Sequence, residues 1–305
     1  MSARQPSLSP QPTSKSRARG RTTLQQAGTP GAVRLLLYLA LLTWTLFTLV
    51  PMLWALAASF TPQDQIFASL TPFTPRAFWP AQPTLSAYQE LLSSPTFLRA
   101  LANTFGLCAA TVIGGVAVNS LAGFTFTVFE FPGKRFFMVL VFISFMVPFE
   151  AIVIPLYGIV SALHLTDSYA ALVLPTLANG AIIYLFRQFF ADTPRDLIEA
   201  ARIDGLSWFG IYARIVLPLS KPVLISAGLA LFLVQWESFF WPLLVANSPE
   251  YQVVQQALAN FNSQYTYRWD IQLAGAVLTM AVPTILLAFL QRYYVTTIAN
   301  TGTKD

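Results

Sequence analysis

Apolar residues fall in six blocks, at 35–58, 101–128, 136–160, 169–189, 223–246 and 271–294. A helix of about 20 apolar residues matches the hydrocarbon thickness of a bilayer. Each block therefore predicts a membrane-spanning helix, and together they predict an all-α membrane protein with six transmembrane helices. Ala55-Leu56-Ala57 looks like a cleavage site after an apolar run, but that run exceeds a signal-peptide core of about 7–15 residues. The first block is therefore read as an uncleaved span. Proline lies inside the blocks at Pro51, Pro148, Pro155, Pro175, Pro242 and Pro283, where each removes a backbone donor and predicts a kink. Gly106, Ala110 and Gly114 stand at a four-residue repeat of small side chains and predict a flat face for close helix packing.

The polar stretches divide the remainder. Residues 1–34, rich in Ser, Pro, Gln and Arg without acids, predict a disordered basic tail. Residues 59–96 form a proline-rich segment in which only 85–92 can make a short amphipathic helix. Residues 97–295 hold the main body, with a charged loop at 191–222, and 296–305 close the chain. Residues 247–270 carry Tyr251, Phe261, Tyr265, Tyr267 and Trp269, which fit an interfacial belt or a surface for a partner or sugar.

Composition agrees with the blocks. The chain is 55% hydrophobic and 10% charged, far below the roughly 25% charge of soluble domains. One cysteine, Cys108, and one histidine, His164, exclude a disulfide framework and any Cys/His metal cluster. Both read as structural. The net charge of +5 is explained by its placement. The tail 1–34, the turn 129–135, the loop 187–222 and the C-terminus hold fifteen of the eighteen Lys and Arg, leaving Arg76, Arg99 and Arg268 on the other side. The positive-inside rule then puts both termini and the charged loop in the cytoplasm.

Within that loop, Pro194 marks a helix start, with Asp192 and Thr193 as possible caps. Arg195 to Asp204 reads as a short helix, and Gly205 can take the left-handed conformation that ends it. A second helix follows from about Ser207, giving a helix-turn-helix between spans four and five. Its charges nearly balance, which suits a protein partner rather than nucleic acid. A phosphate-binding loop needs G-x-x-x-x-G-K-[ST]. Gly133-Lys134 is followed by Arg135, and Val128 stands where the first glycine would. ATP binding thus belongs to another chain.

Glu199, Ala200, Ala201, Gly205, Ile215, Leu217 and Pro218 follow the spacing E-A-A-x3-G-x9-I-x-L-P. This resembles the cytoplasmic EAA loop of the membrane subunits of bacterial ATP-binding-cassette importers. Asn103-Thr104, Met146-Val147-Pro148, Ile154 to Tyr157, Phe186 to Phe190, Trp236 to Leu243 and Gln291 to Val295 look like the maltose-type carbohydrate permeases, specifically the shorter of the two that pair. Ala122 to Phe126 and the last ten residues depart from the family pattern. The resemblance implies an ATPase-docking surface of Glu199, Ala200, Ala201, Arg202, Asp204 and Gly205. In that role Glu199 meets a basic residue, the alanines pack into the ATPase cleft and Gly205 makes the turn. It implies a second homologous permease, two ATPase subunits that use ATP and Mg, an external solute-binding protein and a bacterial inner-membrane location. No cofactor, metal or nucleic acid is implied for this chain.

Polar groups within spans are the candidates for a solute path: Glu150, Gln235, Trp236 and Glu237, with Phe240 beside them. A carboxylate at mid-span costs roughly 2.5–3.5 kcal/mol and should face the bundle interior, a cavity or an interface. An interhelical polar contact suits each of them equally. The expected cargo is a sugar or polyol; an amino acid, peptide, phosphate or metal is the alternative.

Overall fold

The fold comes from a computed structural model that describes residues 31–70, 72–262 and 267–301, with side chains up to 291. The expected tail lies outside these residues up to position 30, as do Tyr265 and residues 302–305. Residues 31–34 belong to the first helix.

All regular elements among the described residues are helical. They are α1 (Gly31–Ala58), α2 (Ser86–Ser93), α3 (Pro95–Val128), α4 (Lys134–Met146), α5 (Phe149–Ala162), α6 (Tyr169–Leu177), α7 (Gly180–Ala191), α8 (Arg195–Ile203), α9 (Trp208–Ile211), α10 (Leu217–Leu219), α11 (Lys221–Trp236), α12 (Phe240–Val245), α13 (Val254–Ala259) and α14 (Trp269–Thr301). A π-helical turn, Tyr212–Val216, joins α9 to α10.

The chain divides into two units, residues 1–50 and 51–305. In the first, residues 31–50 are helical and exposed throughout. A helix apolar on all sides suits lipid rather than water. In the second, α3 is the central element and packs against α2, α6, α7, α11 and α13. One buried cluster joins Phe124, Phe186, Phe190, Ile211, Val216, Val223 and Leu231 at one end of the bundle. Another, at the opposite end of α3, joins Leu91, Phe97, Val254 and Ile271. A third lies between them around Leu107, Val153, Leu172, Trp241 and Val245. Cys108 is buried. His164 is exposed and takes a φ of 55°, and its N–H closes the end of α5 on Ser161 O.

Three helices, Gly31–Ala58, Pro95–Val128 and Trp269–Gln291, are each long and apolar enough to cross a membrane. The other expected spans are broken. The third bends by 105° between α4 and α5, and the fourth by 43° between α6 and α7. Pro148 causes the first break. It forces Val147 into extended backbone (φ −79°, ψ 121°) and cannot donate to the preceding turn. The expected fifth span, 223–246, differs most. Its helix α11 ends at Trp236, three residues outside a helix follow, and α12 is a separate short helix. At its start α11 meets the Trp208–Leu219 helix at 85°, so the charged loop runs helically into the bundle. With each bent pair taken as one span, the count by length and composition is six.

The small-residue face is borne out only in part: a Cβ at Gly114 would stand 2.8 Å from Leu177 Cδ2. Gly106 has open space around it, whereas a Cβ at Gly123 would stand 2.6 Å from Phe186 Cβ and 2.9 Å from the Arg187 backbone N. Gly123 is thus where α3 and α7 meet backbone to backbone. Substituting Gly123→Ala should cost about 1–3 kcal/mol by overpacking, while Gly106→Ala should be near neutral; thermal unfolding of the two purified variants compares them.

Candidate functional site

The EAA motif folds into two helices joined by a tight turn. α8 has an acid, Asp196, in its first turn and a base, Arg202, in its last, which is the polarity its dipole favours. The cap position falls on Pro194 rather than on Asp192 or Thr193, and Pro194 contributes no side-chain cap. At the other end Gly205 takes φ 83°. Its N–H donates to Arg202 O at 3.1 Å, and Leu206 N–H donates to Ala201 O at 3.0 Å, which is the Schellman closure. No neighbouring atom crowds Gly205, so the backbone angle alone calls for glycine. Arg202 lies 4.5 Å over the Trp208 ring and donates to Leu206 O at 2.8 Å, bracing the turn. Ser207 then caps the second helix by accepting from Gly210 N–H at 3.1 Å.

This unit is fastened to the bundle. Tyr212 and Ser120 share a buried hydrogen bond of 2.7 Å, Phe124 packs on Tyr212 at 5.4 Å, and Phe129 on Trp208 at 4.9 Å. Of the expected surface residues, Glu199, Ala200, Arg202, Asp204 and Gly205 are exposed. Ala201 is not, at 5% exposure, because it packs into this chain's own core. Ile203 was missed by sequence reasoning. It is 87% exposed and shares a helix face with Glu199 and Ala200, at i+4 and i+3. The available signal was an isoleucine on the polar side of an amphipathic helix.

The three helix breaks of the bundle converge on one cavity of about 560 Å³. Val147 and Phe149 line it from the α4–α5 break, Asn179 from the α6–α7 break, and Gln235, Glu237 and Phe240 from the α11–α12 break. Irregular backbone at membrane depth is tolerated where it lines a cavity or is buried in protein, and both conditions operate here. Of the expected path residues, Gln235, Glu237 and Phe240 share this space. Trp236 points away and is buried, its Nε1–H donating to Thr279 O at 3.1 Å. It lines a second cavity of about 570 Å³ with Glu237, Gln255, Tyr267 and Gln272. Glu150 is exposed on the surface of α5 and lines neither cavity.

Buried amides and hydroxyls hold the breaks in place. Asn119 Nδ2 donates to Leu177 O at 2.8 Å, and its Oδ1 accepts from Asn179 N–H at 2.8 Å. One side chain thereby satisfies backbone groups on both sides of the α6–α7 break. Thr111 donates to Gln235 Oε1 at 3.3 Å and lies 3.4 Å from Thr176 Oγ1, tying α3 to α11 and α6. At the far end of α3, Asn103 donates to Glu250 O and Gln252 O, at 2.8 and 3.0 Å, and accepts from Tyr169 OH at 2.9 Å. Arg268 bridges Glu90 at 2.8 Å and Asp270 at 2.9 Å. The hydrogen bonds of Asp270 and then Glu90 push its pKa upward. Among the described residues no cluster of three His, Cys, Asp or Glu side chains could hold a metal.

A helical bundle with long apolar surfaces, broken helices around a central cavity and an anchored polar helix-turn-helix defines a membrane transport protein. Residues 115–299 match the binding-protein-dependent transport system inner membrane component family. The chain belongs to that family, the permease subunits of ATP-binding-cassette importers, and is not an enzyme. It is 34% identical over 202 residues to the arabinooligosaccharides transport system permease protein of Halalkalibacterium halodurans, covering 66% of this chain and 72% of that one. It is 30% identical over 269 residues to the sn-glycerol-3-phosphate transport system permease protein of Rhizobium meliloti, covering 87% and 95%. Its fold is similar to a chain of a bacterial ABC transporter involved in the import of the acidic polysaccharide alginate, with TM-score 0.75, 21% identity and coverage of 86% and 96%.

Replacing Asn119 by Ala should leave the Leu177 carbonyl and Asn179 N–H without their partner. The expected loss is about 1–3 kcal/mol for unsatisfied buried groups. Differential scanning of the purified variant measures it, and hydrogen exchange should localise the loss to residues 177–182.

Proposed function

We propose that this chain is one permease of a carbohydrate importer. It spans the inner membrane six times, with both termini and the 191–222 loop in the cytoplasm, and forms the 97–295 transport core with a second homologous permease. The observation that carries the reading is the EAA helix-turn-helix fastened to a bundle whose family is binding-protein-dependent transport. Placement of fifteen of eighteen basic residues on one side supports the orientation. Residues 59–96 and the aromatic 247–270 segment then face outward, toward the solute-binding protein.

In this reading a separate ATPase, using ATP and Mg, docks on the outer face of α8. Glu199 supplies charge to the ATPase cleft, Ala200 permits close approach and Ile203 adds an apolar plug. Asp204 and Gly205 shape the turn. Ala201 and Arg202 act from within, as packing and bracing. Two ATPase subunits, one per permease, close on ATP, and each moves its helix-turn-helix as a rigid body. The Tyr212–Ser120 bond and the rings around Phe124 carry that displacement to α3 and α11, which wall the cavity. Alternating access follows when the breaks around the cavity change their angles.

Solute passes the cavity edged by Gln235, Glu237 and Phe240, where amide, carboxylate and aromatic groups suit sugar hydroxyls. Trp236 supports the α11–α12 break, and Glu150 faces lipid or the second permease. The named relatives support a sugar or polyol cargo. The glycerol-phosphate relative, matched along most of its length, makes a phosphorylated polyol the specific second reading. ATPase stimulation in the reconstituted transporter, with its binding protein and a panel of arabinooligosaccharides, alginate oligomers and glycerol 3-phosphate, separates these. Stimulation by an amino acid or peptide alone would overturn the carbohydrate reading.

Glu199→Lys reverses the charge at the docking face and should lower ATPase retention on the purified membrane subunits at least tenfold, about 1.4 kcal/mol. Unchanged co-purification would remove α8 as the docking element. Glu237→Gln keeps shape but removes charge. Transport in vesicles should fall about tenfold or more, the scale of one hydrogen bond to a charged group at about 1.5 kcal/mol, with solute-independent ATPase activity retained.

A further inference from the structure

A third cavity, of about 730 Å³, opens where the turn between α3 and α4 meets α7, and the mechanism above does not use it. Glu130, Lys134, Arg135, Met138, Val139 and Arg187 line it. Lys134 is already committed, donating to Glu130 Oε1 at 2.8 Å and to Phe129 O at 2.9 Å. That hydrogen bond, reinforced by the Lys134 charge, holds the Glu130 carboxyl below the usual carboxylate range. Glu130 is therefore engaged, and no other carboxylate lines the pocket among the described residues. Arg135 adds a weaker pull on the same carboxylate, but neither it nor Arg187 makes an ion pair within 4.0 Å among the described residues.

Local backbone adds to the same sign. The first turn of α4 contains no acidic residue, and its cap, Gly133, offers no side chain. Lys134 and Arg135 thus sit at the positive end of a helix, where cations are disfavoured and anions favoured. Two arginine side chains and a helix start converge on a space that holds one engaged carboxylate. An anion completes it.

The surroundings identify the kind of anion. Arg135, Val139, Ile143 and Met146 recur at i+4, i+4 and i+3 along one face of α4, and the three apolar members are exposed. From Arg135 to Met146 this stripe measures about 16 Å at about 1.5 Å per residue, the scale of an acyl chain, with the cation at one end. We propose that the cavity binds the phosphate of an anionic phospholipid through Arg135 and Arg187, and that an acyl chain lies along Val139, Ile143 and Met146. Arginine suits this task because its planar fork can engage two phosphate oxygens at once. The site is distinct from the solute cavity and does not depend on the identity of the solute.

Native mass spectrometry of the purified full-length chain, with phosphatidylglycerol or phosphatidylcholine titrated in, tests the proposal. The chain should retain phosphatidylglycerol preferentially. Arg135→Gln should weaken that retention about fivefold, the effect of one cation near an anionic lipid, and adding Arg187→Gln should weaken it further. Arg76→Gln, a basic residue of the proline-rich segment, should have no effect. Should the double variant not fold, Arg135→Gln and Arg135→Lys suffice, the lysine variant keeping the charge and losing less affinity than the glutamine variant. Equal retention by wild type and Arg135→Gln would overturn the proposal. So would thermal stabilisation by inorganic phosphate equal to that by the lipid, which would assign the pocket to a free anion. Loss of a co-purifying protein from Arg135→Gln transporter, with lipid retention intact, would overturn it in favour of a protein contact.

Discussion

Backbone hydrogen bonding at membrane depth is the constraint on which this structure depends. An unpaired amide or carbonyl in hydrocarbon costs several kcal/mol, so every break in a spanning helix must be supplied with partners from elsewhere. The bundle meets this demand locally and with few side chains. Asn119 reaches both sides of the α6–α7 break, while Asn179 caps the helix that restarts there by accepting from Ala181 and Ile182. Because the partners come from α3, the broken helices must assemble around it. The cavity is the space left where three such restarts meet.

The same constraint organises the end of α3 near Asn103. Asn103 and Thr104 do not line the cavity. They satisfy the backbone of residues 250–254, which crosses the bundle without regular structure. Gln256 and Asp167 serve the neighbouring stretch in the same way. Three of the buried polar residues in the apolar blocks, Asn103, Thr104 and Asn119, are therefore ligands for backbone at helix ends and breaks. They are not free for solute, and Gln235 is shared, since it is also bound by Thr111.

Much of this was legible in the sequence where one residue type has one physical use. Gly205 in a left-handed turn, Ser207 ahead of the next helix, the short helix near 85–92 and the buried Cys108 all follow from local rules. The breaks were legible only in part. Proline marks the α4–α5 bend, but the end of α11 at Trp236 has no proline within it, and Pro242 lies inside the next helix. Asn119 reads in sequence as one polar residue in an apolar run, and its two partners are about sixty residues away. Gly123 differs from Gly106 only through what lies opposite it, which no local pattern encodes. Ala201 illustrates the same limit: the motif marks it as special without indicating which of two surfaces it serves. Glu150, expected to face the interior, a cavity or an interface, is exposed on α5 and lines neither cavity, which leaves the interface, a surface that one chain's sequence does not show.

The fastening of the helix-turn-helix has a consequence for how such proteins diverge. Its bed is made by Ser120, Phe124 and Phe129 at the end of α3, some eighty residues earlier in the chain. The motif is thus not a portable cassette. A chimera that grafts residues 191–222 from another permease would inherit a foreign tyrosine and tryptophan with no matching hydroxyl or rings beneath them. The two stretches must travel together, or change in step, for the helix-turn-helix to stay seated on α3.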